Sequence, residues 1–366
     1  MTDRARGGGI APVRTIEWEG DLPGTVRLLD QAALPAEERY LRIETAEEMR
    51  DAIRRLAVRG APAIGVAAAF GVVLGVQSAR ARDGEGALAA ANAAADLLAA
   101  ARPTALAPFR LLGRMRGRAR AEAPRGADAV LRGLLEEAMQ AVEEDRRCCE
   151  AIGEAGAALL RDGDAILTHC NAGALATASS GTALAIVYRA AREGKRIRVF
   201  ADETRPLLQG ARLTAWELAR AGIEVSLLAD AAAASLLRNG TVAAVLVGAD
   251  RIARNGDVAN KVGTYPLALA SEAHAIPFYV AAPLETIDLE AATGEAIPIE
   301  SRGAEEVVLL GGRRVAPEGV KVFNPAFDVT PARLVSALVT EAGVLPHPDE
   351  ASVTALLAGA HRPRRG

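Results

Sequence analysis

Val245-Leu246-Val247-Gly248-Ala249-Asp250-Arg251-Ile252 is an apolar run that ends in a glycine and a carboxylate. A continuous apolar run of this length is what a strand covered on both faces looks like. Open α/β sheets place their ligands at the carboxyl ends of such strands. A turn, Asn255-Gly256-Asp257, then leads to Asn260, Lys261 and Gly263, so a carboxylate and a cation are expected near one strand tip. A second tip of the same kind occurs at Ala165-Ile166-Leu167-Thr168-His169-Cys170-Asn171-Ala172-Gly173, where the strand delivers a cysteine. One thiol and one carboxyl at two strand tips point to an enzyme acting on a small anionic molecule.

Working outward, apolar strands are expected at 164–169, 197–201, 224–229, 242–248 and 277–282, alternating with helical stretches. That alternation is the pattern of stacked βαβ units and a mainly parallel sheet. Beyond residue 300, 307–310 and 320–323 read as edge strands and 331–342 as a closing helix. Upstream the period is different. Segments 13–18 and 25–29 flank the turn-rich Glu19-Gly20-Asp21-Leu22-Pro23-Gly24, which suits a hairpin. Thr45 with Glu48 reads as a capping box opening a helix over 49–58. Small-residue helices follow over 63–77 and 84–100, then an arginine-studded stretch over 104–121. A long helix over 127–160 is expected to be interrupted near Gly153 and Gly156.

The bulk composition narrows the class. The chain has 366 residues, enough for two domains. Half of it is hydrophobic but only 3% aromatic, so alanine, leucine and valine must fill the interior. A net charge of −3 and a pI near 6.0 argue against a nucleic-acid partner. Three cysteines, two of them adjacent (Cys148 and Cys149), make no disulfide framework, so a reducing, cytoplasmic setting is expected. The first residues show no apolar core of a signal peptide. Residues 61–76 carry interior glycines and fall short of the ~20 residues a membrane span needs, so no membrane partner is expected.

Several segments are candidates for chemistry. Arg59-Gly60-Ala61-Pro62-Ala63-Ile64-Gly65 sets an arginine and exposed amides at a helix start, which suits a phosphate; a loop closely packed through its glycine is the alternative. Arg102-Pro103-Thr104 could turn an arginine over a pocket or merely compensate a helix dipole. The run from Phe200 to Thr214 follows another strand, and Gln209 and Gly210 fall where a helix begins, placed to meet a hydroxyl or phosphate oxygen. Cys170 sits in a polar turn where amides can stabilise a thiolate; a buried apolar cysteine is the bland reading. His169 reads as a local structural partner, because the four histidines and the cysteines lack ligand spacing; no metal and no cofactor are expected. No Gly-x-Gly-x-x-Gly follows an expected strand, and there is neither a Walker A loop nor a Gly-x-Ser-x-Gly elbow. Ser179-Ser180-Gly181-Thr182 has no assignable histidine–carboxylate partner. The arginines at 110, 114, 116, 118, 120 and 125, with almost no aromatics between them, read as a solvated helix face.

Taken together and in order, these motifs resemble the methylthioribose-1-phosphate isomerases. The resemblance rests on Arg59 to Gly65, Thr168 to Gly173, Asp202-Glu203-Thr204-Arg205-Pro206 with the run from Gln209 to Leu218, and Gly248 to Ile252 with Asn255 to Asp257 and Asn260 to Tyr265. Thr15 to Trp18, Leu28 to Gln31 and Val322 to Pro331 extend it over about residues 13–345. It implies a smaller N-terminal domain of short strands and helices on a Rossmann-like C-terminal domain, usually as a homodimer. The corresponding division is a disordered tail over 1–12, the N-terminal domain over 13–140, the catalytic domain over 141–350 and a tail over 351–366. It implies conversion of 5-methylthioribose 1-phosphate to 5-methylthioribulose 1-phosphate, with Asp250 as the acid toward the ring oxygen and Cys170 near C1 and C2. Arg59, Gly60, Ala61, Arg102, Gln209, Asn260 and Lys261 map onto substrate and phosphate contacts. For Asp250 to donate a proton near neutral pH, an apolar, closed site is expected.

Two departures stand out. Leu106-Ala107-Pro108 replaces an expected Val-Asn-Leu, and Ser180 stands where an aromatic is usual, so the group preferred at C5 is open. A 5-deoxyribose-1-phosphate isomerase or a ribose-1,5-bisphosphate isomerase are the neighbouring readings. The rival from another class is a non-catalytic regulatory subunit like those of translation initiation factor 2B, which share the fold but lack the Thr-His-Cys-Asn turn and the aspartate.

Overall fold

The computed structural model describes residues 10–101 and 106–360, which divide into two compact units. The N-terminal unit comprises Pro12–Cys149 together with Gly173–Gly181. It opens with an antiparallel sheet of β1 (Ile16–Glu19), β2 (Thr25–Leu29) and β3 (Tyr40–Ile43). The hairpin is as expected; β3 is too short and too mixed in polarity to stand out from its sequence. Five helices follow: α1 (Ala46–Arg54), α2 (Ala61–Ala79), α3 (Gly84–Ala99), α4 (Leu106–Glu122) and α5 (Ala127–Ala157). The Thr45 hydroxyl accepts from the Glu48 amide while the Glu48 carboxylate accepts from the Thr45 amide, the expected capping box.

Helix α2 is apolar on every side because it is the centre of this unit, with Met49, Ile53, Phe70, Leu74, Leu98 and Met115 in the surrounding core. At 19 residues it is long and apolar enough to cross a membrane, yet 72% of that stretch is buried within the protein. The arginines of α4 face carboxylates of neighbouring helices: Arg114 meets Glu137 and Glu144, Arg116 meets Asp96, and Arg118 meets Glu136. Such exposed pairs contribute at most about 1 kcal/mol each.

The second unit holds Glu150–Ala172 and the chain from Thr182. Its main sheet uses β4 (Ala165–Thr168), β5 (Arg198–Asp202), β6 (Glu224–Leu228), β7 (Ala244–Val247) and β10 (Phe278–Ala281), the five expected strands, plus β15 (Ala337–Thr340) and β16 (Gly343–Pro346). The spatial order is β16-β15-β10-β7-β4-β5-β6, all parallel except β16. Counting the parallel strands by sequence, that order is the doubly wound one whose direction reverses between β4 and β7. Helices α6 (Ala183–Arg192), α7 (Ala215–Arg220), α8 (Ala233–Arg238) and α9 (Thr264–Ala273) connect the strands. A smaller sheet of β8 (Arg251–Ala253), β9 (Val258–Lys261), β11 (Ile287–Asp288) and β14 (Phe327–Thr330) extends from the end of β7.

Three expectations are corrected. The closing helix over 331–342 is instead one short turn at Ala332–Leu334 followed by β15, whose four residues are all buried. The run Leu334-Val335-Ser336-Ala337-Leu338-Val339 fits a buried helix or a buried strand equally; pairing with β10 on one side and β16 on the other decides for the strand. Of the expected edge strands, 307–310 gives a turn of helix α10 (Glu305–Val308) and a two-residue strand β12 (Leu309–Leu310) paired with β13 (Arg313–Arg314), while 320–323 forms no strand. Gly153 and Gly156 do not interrupt α5. They let it approach α6, since a Cβ on Gly153 would stand 2.9 Å from the Ala185 carbonyl oxygen. The two units part at Cys149 and Glu150, inside this continuous helix, and α11 (Glu350–Ala360) follows β16.

Candidate active site

The two strand tips singled out by the sequence lie side by side where the sheet order reverses. Leu167 of β4 pairs with Val245 of β7. Just beyond the strands, a Cβ on Gly248 would stand 2.8 Å from Ala172 Cβ, so only glycine lets the loops bearing Cys170 and Asp250 come this close. Asp250 donates its amide to the Ala259 carbonyl at 2.9 Å, which fixes it at the entry to the β8–β9 hairpin. Where the antiparallel hairpin returns to that same open end stand Asn260, buried and donating to Thr264 Oγ1 at 3.0 Å, and Lys261. The Lys261 ammonium donates to the Ala326 carbonyl at 2.8 Å and lies 4.9 Å from the Phe327 ring centroid.

Cys170 is half-buried with φ +63°. For a residue other than glycine this left-handed backbone costs on the order of 1–3 kcal/mol and persists only where its surroundings impose it. Those surroundings are visible. Thr204, itself at φ +65°, accepts the Cys170 amide through Oγ1 at 2.8 Å, and Thr214 Oγ1 donates to the Cys170 carbonyl at 2.6 Å. Thr214 ends a five-residue π-helical turn, Gly210–Thr214, a local widening of the helix that is common at functional sites.

His169 lies beneath this turn with 1% of its side chain exposed. Its Nδ1 is 2.9 Å from Asp202 Oδ2, and its Nε2 is 2.9 Å from the Val262 carbonyl, to which it donates. The ring thus bolts the β4 tip to the β5 tip and to the loop after Lys261. Gly263, at φ +106°, passes over the ring where a side chain would collide with it. Burial works against a charged imidazole, but Asp202, the Val262 carbonyl and Asp230 outweigh it and raise the His169 pKa. Burial also raises Asp202, against the opposing pull of His169, so one proton is held between Nδ1 and Oδ2. Asp230 completes a group of three potential metal ligands within 4.8 Å of one another. Its two oxygens already accept the Thr204 and Arg205 amides at 2.7 Å, and His169 Nδ1 faces Asp202, so the arrangement is a hydrogen-bond network rather than an open coordination shell.

Because both shifts are upward, the folded chain binds more protons than the unfolded one. The His169 contribution is therefore present in full below an unfolded value of about 6.5 and declines as pH rises through the raised folded value. Denaturant midpoints measured between pH 6 and 9 are expected to fall with rising pH, and His169→Gln is expected to flatten that slope. An unchanged slope in the variant would remove His169 as its source.

The remaining candidates are placed as follows. Gln209 is buried, and its Oε1 has no hydrogen-bond partner among the described residues; Asp202 Oδ1 is in the same condition. Arg59, Gly60 and Ala61 belong to the N-terminal unit at the start of α2, with Pro62 in the first turn. Arg102 lies outside the described residues. Asp250 is exposed, which corrects the expectation of an apolar, closed surrounding.

The sequence reading missed Thr214, Glu217 and Tyr188. Glu217 is 2% exposed, accepts the Tyr188 hydroxyl at 3.0 Å, and takes a very short hydrogen bond from Asn171 Nδ2. A lone carboxylate or phenol inside an apolar helix is the signal that could have found them, since a buried polar group needs a partner.

Residues 57–347 match the sequence profile of the Initiation factor 2 subunit family. A 5-deoxyribose 1-phosphate isomerase of Moorella thermoacetica is 52% identical over 351 residues, covering 96% of this chain and 99% of that one. A methylthioribose-1-phosphate isomerase of Anaeromyxobacter sp. (strain K) is 54% identical over 345 residues, covering 94% and 97%. Among solved structures, the 5-methylthioribose 1-phosphate isomerase of Pyrococcus horikoshii OT3 superposes with a TM-score of 0.91 at 41% identity, covering 96% of this chain and 97% of that one. A chain described as the delta subunit of translation initiation factor eIF-2B from A. fulgidus superposes at 0.87 with 44% identity, covering 94% and 99%. With the profile spanning most of its length and the fold matching end to end, the chain belongs to the Initiation factor 2 subunit family.

Proposed function

We propose that the protein is a sugar-phosphate aldose–ketose isomerase that converts 5-methylthioribose 1-phosphate to 5-methylthioribulose 1-phosphate in methionine salvage. The observation that carries this reading is the juxtaposition of the Cys170 and Asp250 loops at the reversal point of the parallel sheet. The relatives named methylthioribose-1-phosphate isomerase support it. The buried, unpartnered Gln209 Oε1 supports a ligand with hydroxyl donors.

The phosphate on C1 prevents the ring from opening as a free sugar does. Asp250 gives a proton to the ring oxygen as its bond to C1 breaks. Hydrogen then moves from C2 to C1 and the C2 hydroxyl releases its proton, which balances the one Asp250 gave, so C2 becomes the ketone as C1 is reduced, with no external oxidant. Cys170 flanks C1 and C2, taking the C2 proton in an enediol route or walling the site in a hydride shift. Arg59, Gly60, Ala61, Arg102, Gln209, Asn260 and Lys261 hold the sugar and its phosphate. We further propose a homodimer acting in the cytoplasm without nucleic-acid or membrane partners. The exposed Leu310, Val315, Val320 and Phe323, the last 91% exposed, support a self-associating surface.

A second reading, 5-deoxyribose 1-phosphate as substrate, is favoured by the Moorella relative. Turnover of the two sugars, each assayed alone with the wild-type protein, separates the readings. A higher kcat/KM for the methylthio sugar supports the first, and the reverse order supports the second. No turnover of either, with stable binding to a translation factor, would replace both with the regulatory role.

A further inference from the structure

The backbone of Cys170 is held from behind by a chain of buried side chains that the reaction itself does not use. The Tyr188 hydroxyl donates to Glu217 Oε2 at 3.0 Å. Glu217 Oε1 accepts from Asn171 Nδ2, which also donates to Thr214 Oγ1 at 3.1 Å. Thr214 Oγ1 in turn donates to the Cys170 carbonyl at 2.6 Å. Every member except Cys170 is buried.

The direction of these bonds is fixed by a proton inventory. An amide nitrogen only donates, and Asn171 Nδ2 meets both Glu217 Oε1 and Thr214 Oγ1, giving one N–H to each. With its oxygen accepting from Asn171, the Thr214 hydroxyl has its single proton left for the Cys170 carbonyl. The opposite face of the same residue is held by Thr204, which accepts the Cys170 amide at 2.8 Å and passes its own proton to the Asp202 carbonyl at 3.0 Å. Cys170 is thereby clamped at both its amide and its carbonyl in a left-handed conformation that a cysteine does not adopt unaided.

We propose that Thr214, Glu217 and Tyr188 are positioning residues that hold Cys170 in its left-handed turn, so that the sulfur is presented to the substrate at a fixed place. The proposal rests on the isomerase reading for its kinetic consequence and on the geometry alone for its structural one. Polar networks of this kind specify one arrangement when every member is satisfied, and a displacement of about 1 Å at a reacting group can cost about a hundredfold in rate.

The test compares Thr214→Val, which keeps the shape and removes the hydroxyl, with Thr214→Ser, which restores it. Thr214→Val is expected to lower kcat about ten- to a hundredfold with KM changed less than about twofold, and Thr214→Ser is expected to recover most of the loss. Amide hydrogen exchange at Cys170 and Asn171, followed without substrate, is expected to speed up at least about tenfold in the valine variant only. Tyr188→Phe, a smaller change at the far end of the chain, is expected to give a weaker fall in kcat in the same direction and serves if Thr214→Val does not fold. Unchanged kcat in Thr214→Val and Tyr188→Phe, or a loss that serine does not rescue, would overturn the proposal. If the wild-type protein turned over neither sugar, the isomerase reading would fail, while faster exchange confined to the valine variant would still uphold the clamp and its absence would still overturn it.

Discussion

Asp250→Asn is expected to lower kcat about 10²- to 10⁴-fold, the usual worth of a positioned general acid, and to leave KM within a few-fold. Asparagine keeps the size of the side chain and its backbone bond to Ala259 but has no proton to give to the ring oxygen. Cys170→Ala should produce a loss of similar size, and a residual kcat near wild type in either variant would take that residue out of the chemistry.

The second large effect is expected at Gly60, in the Arg59-Gly60-Ala61-Pro62 corner that starts α2. Gly60 has φ +89° and ψ 135°, a region that side chains avoid. A Cβ there would stand 2.6 Å from Ala176 Cα and closer still to its carbonyl oxygen. The strain alone is worth about 1–3 kcal/mol, and the collision with backbone adds to it because backbone cannot swing aside. Gly60→Ala should therefore destabilise the N-terminal unit by about 3 kcal/mol or more, lowering its melting temperature by about 10 °C. Gly163→Ala is the control. Its φ is +88°, but nothing lies within 4 Å of the added carbon, so only the strain should appear. Equal losses in the two variants would show that the contact with Ala176 contributes nothing.

Much of this architecture was legible because each element announces itself locally. The five apolar runs between residues 164 and 282 alternate with helical stretches and so read as parallel strands, although β6 at the sheet edge has no buried residue, and the tips of the first and the fourth bore the thiol and the carboxylate. Where local pattern was ambiguous, the sheet decided. Residues 334–339 are apolar at both periods, and only a place beside β10 makes them a strand. Gly153 and Gly156 look like helix breakers until α6 is seen to pack against them. The Cys170 clamp was invisible for a different reason: Tyr188, Thr214 and Glu217 are 18 to 47 positions away along the chain, about that far by number from Cys170, and no spacing rule connects them. Asp202 was noticed only as part of a polar run, although its partnership with His169 joins three loops.

The N-terminal unit is not a continuous stretch of chain. Gly173–Gly181 belongs to it, with Thr15 donating to the Thr177 carbonyl at 3.1 Å and Gln31 to the Leu175 carbonyl at 2.7 Å. During synthesis this unit therefore cannot close when residue 149 leaves the ribosome. The strand and turn that bear Cys170 must be made first, and the nine residues after Ala172 then supply the missing wall. A gene fragment ending at residue 149 would lack the Thr177 and Leu175 carbonyls to which Thr15 and Gln31 donate. The two halves of the chain are thus tied by order of manufacture, and neither can be exchanged as a cassette by cutting at a single point.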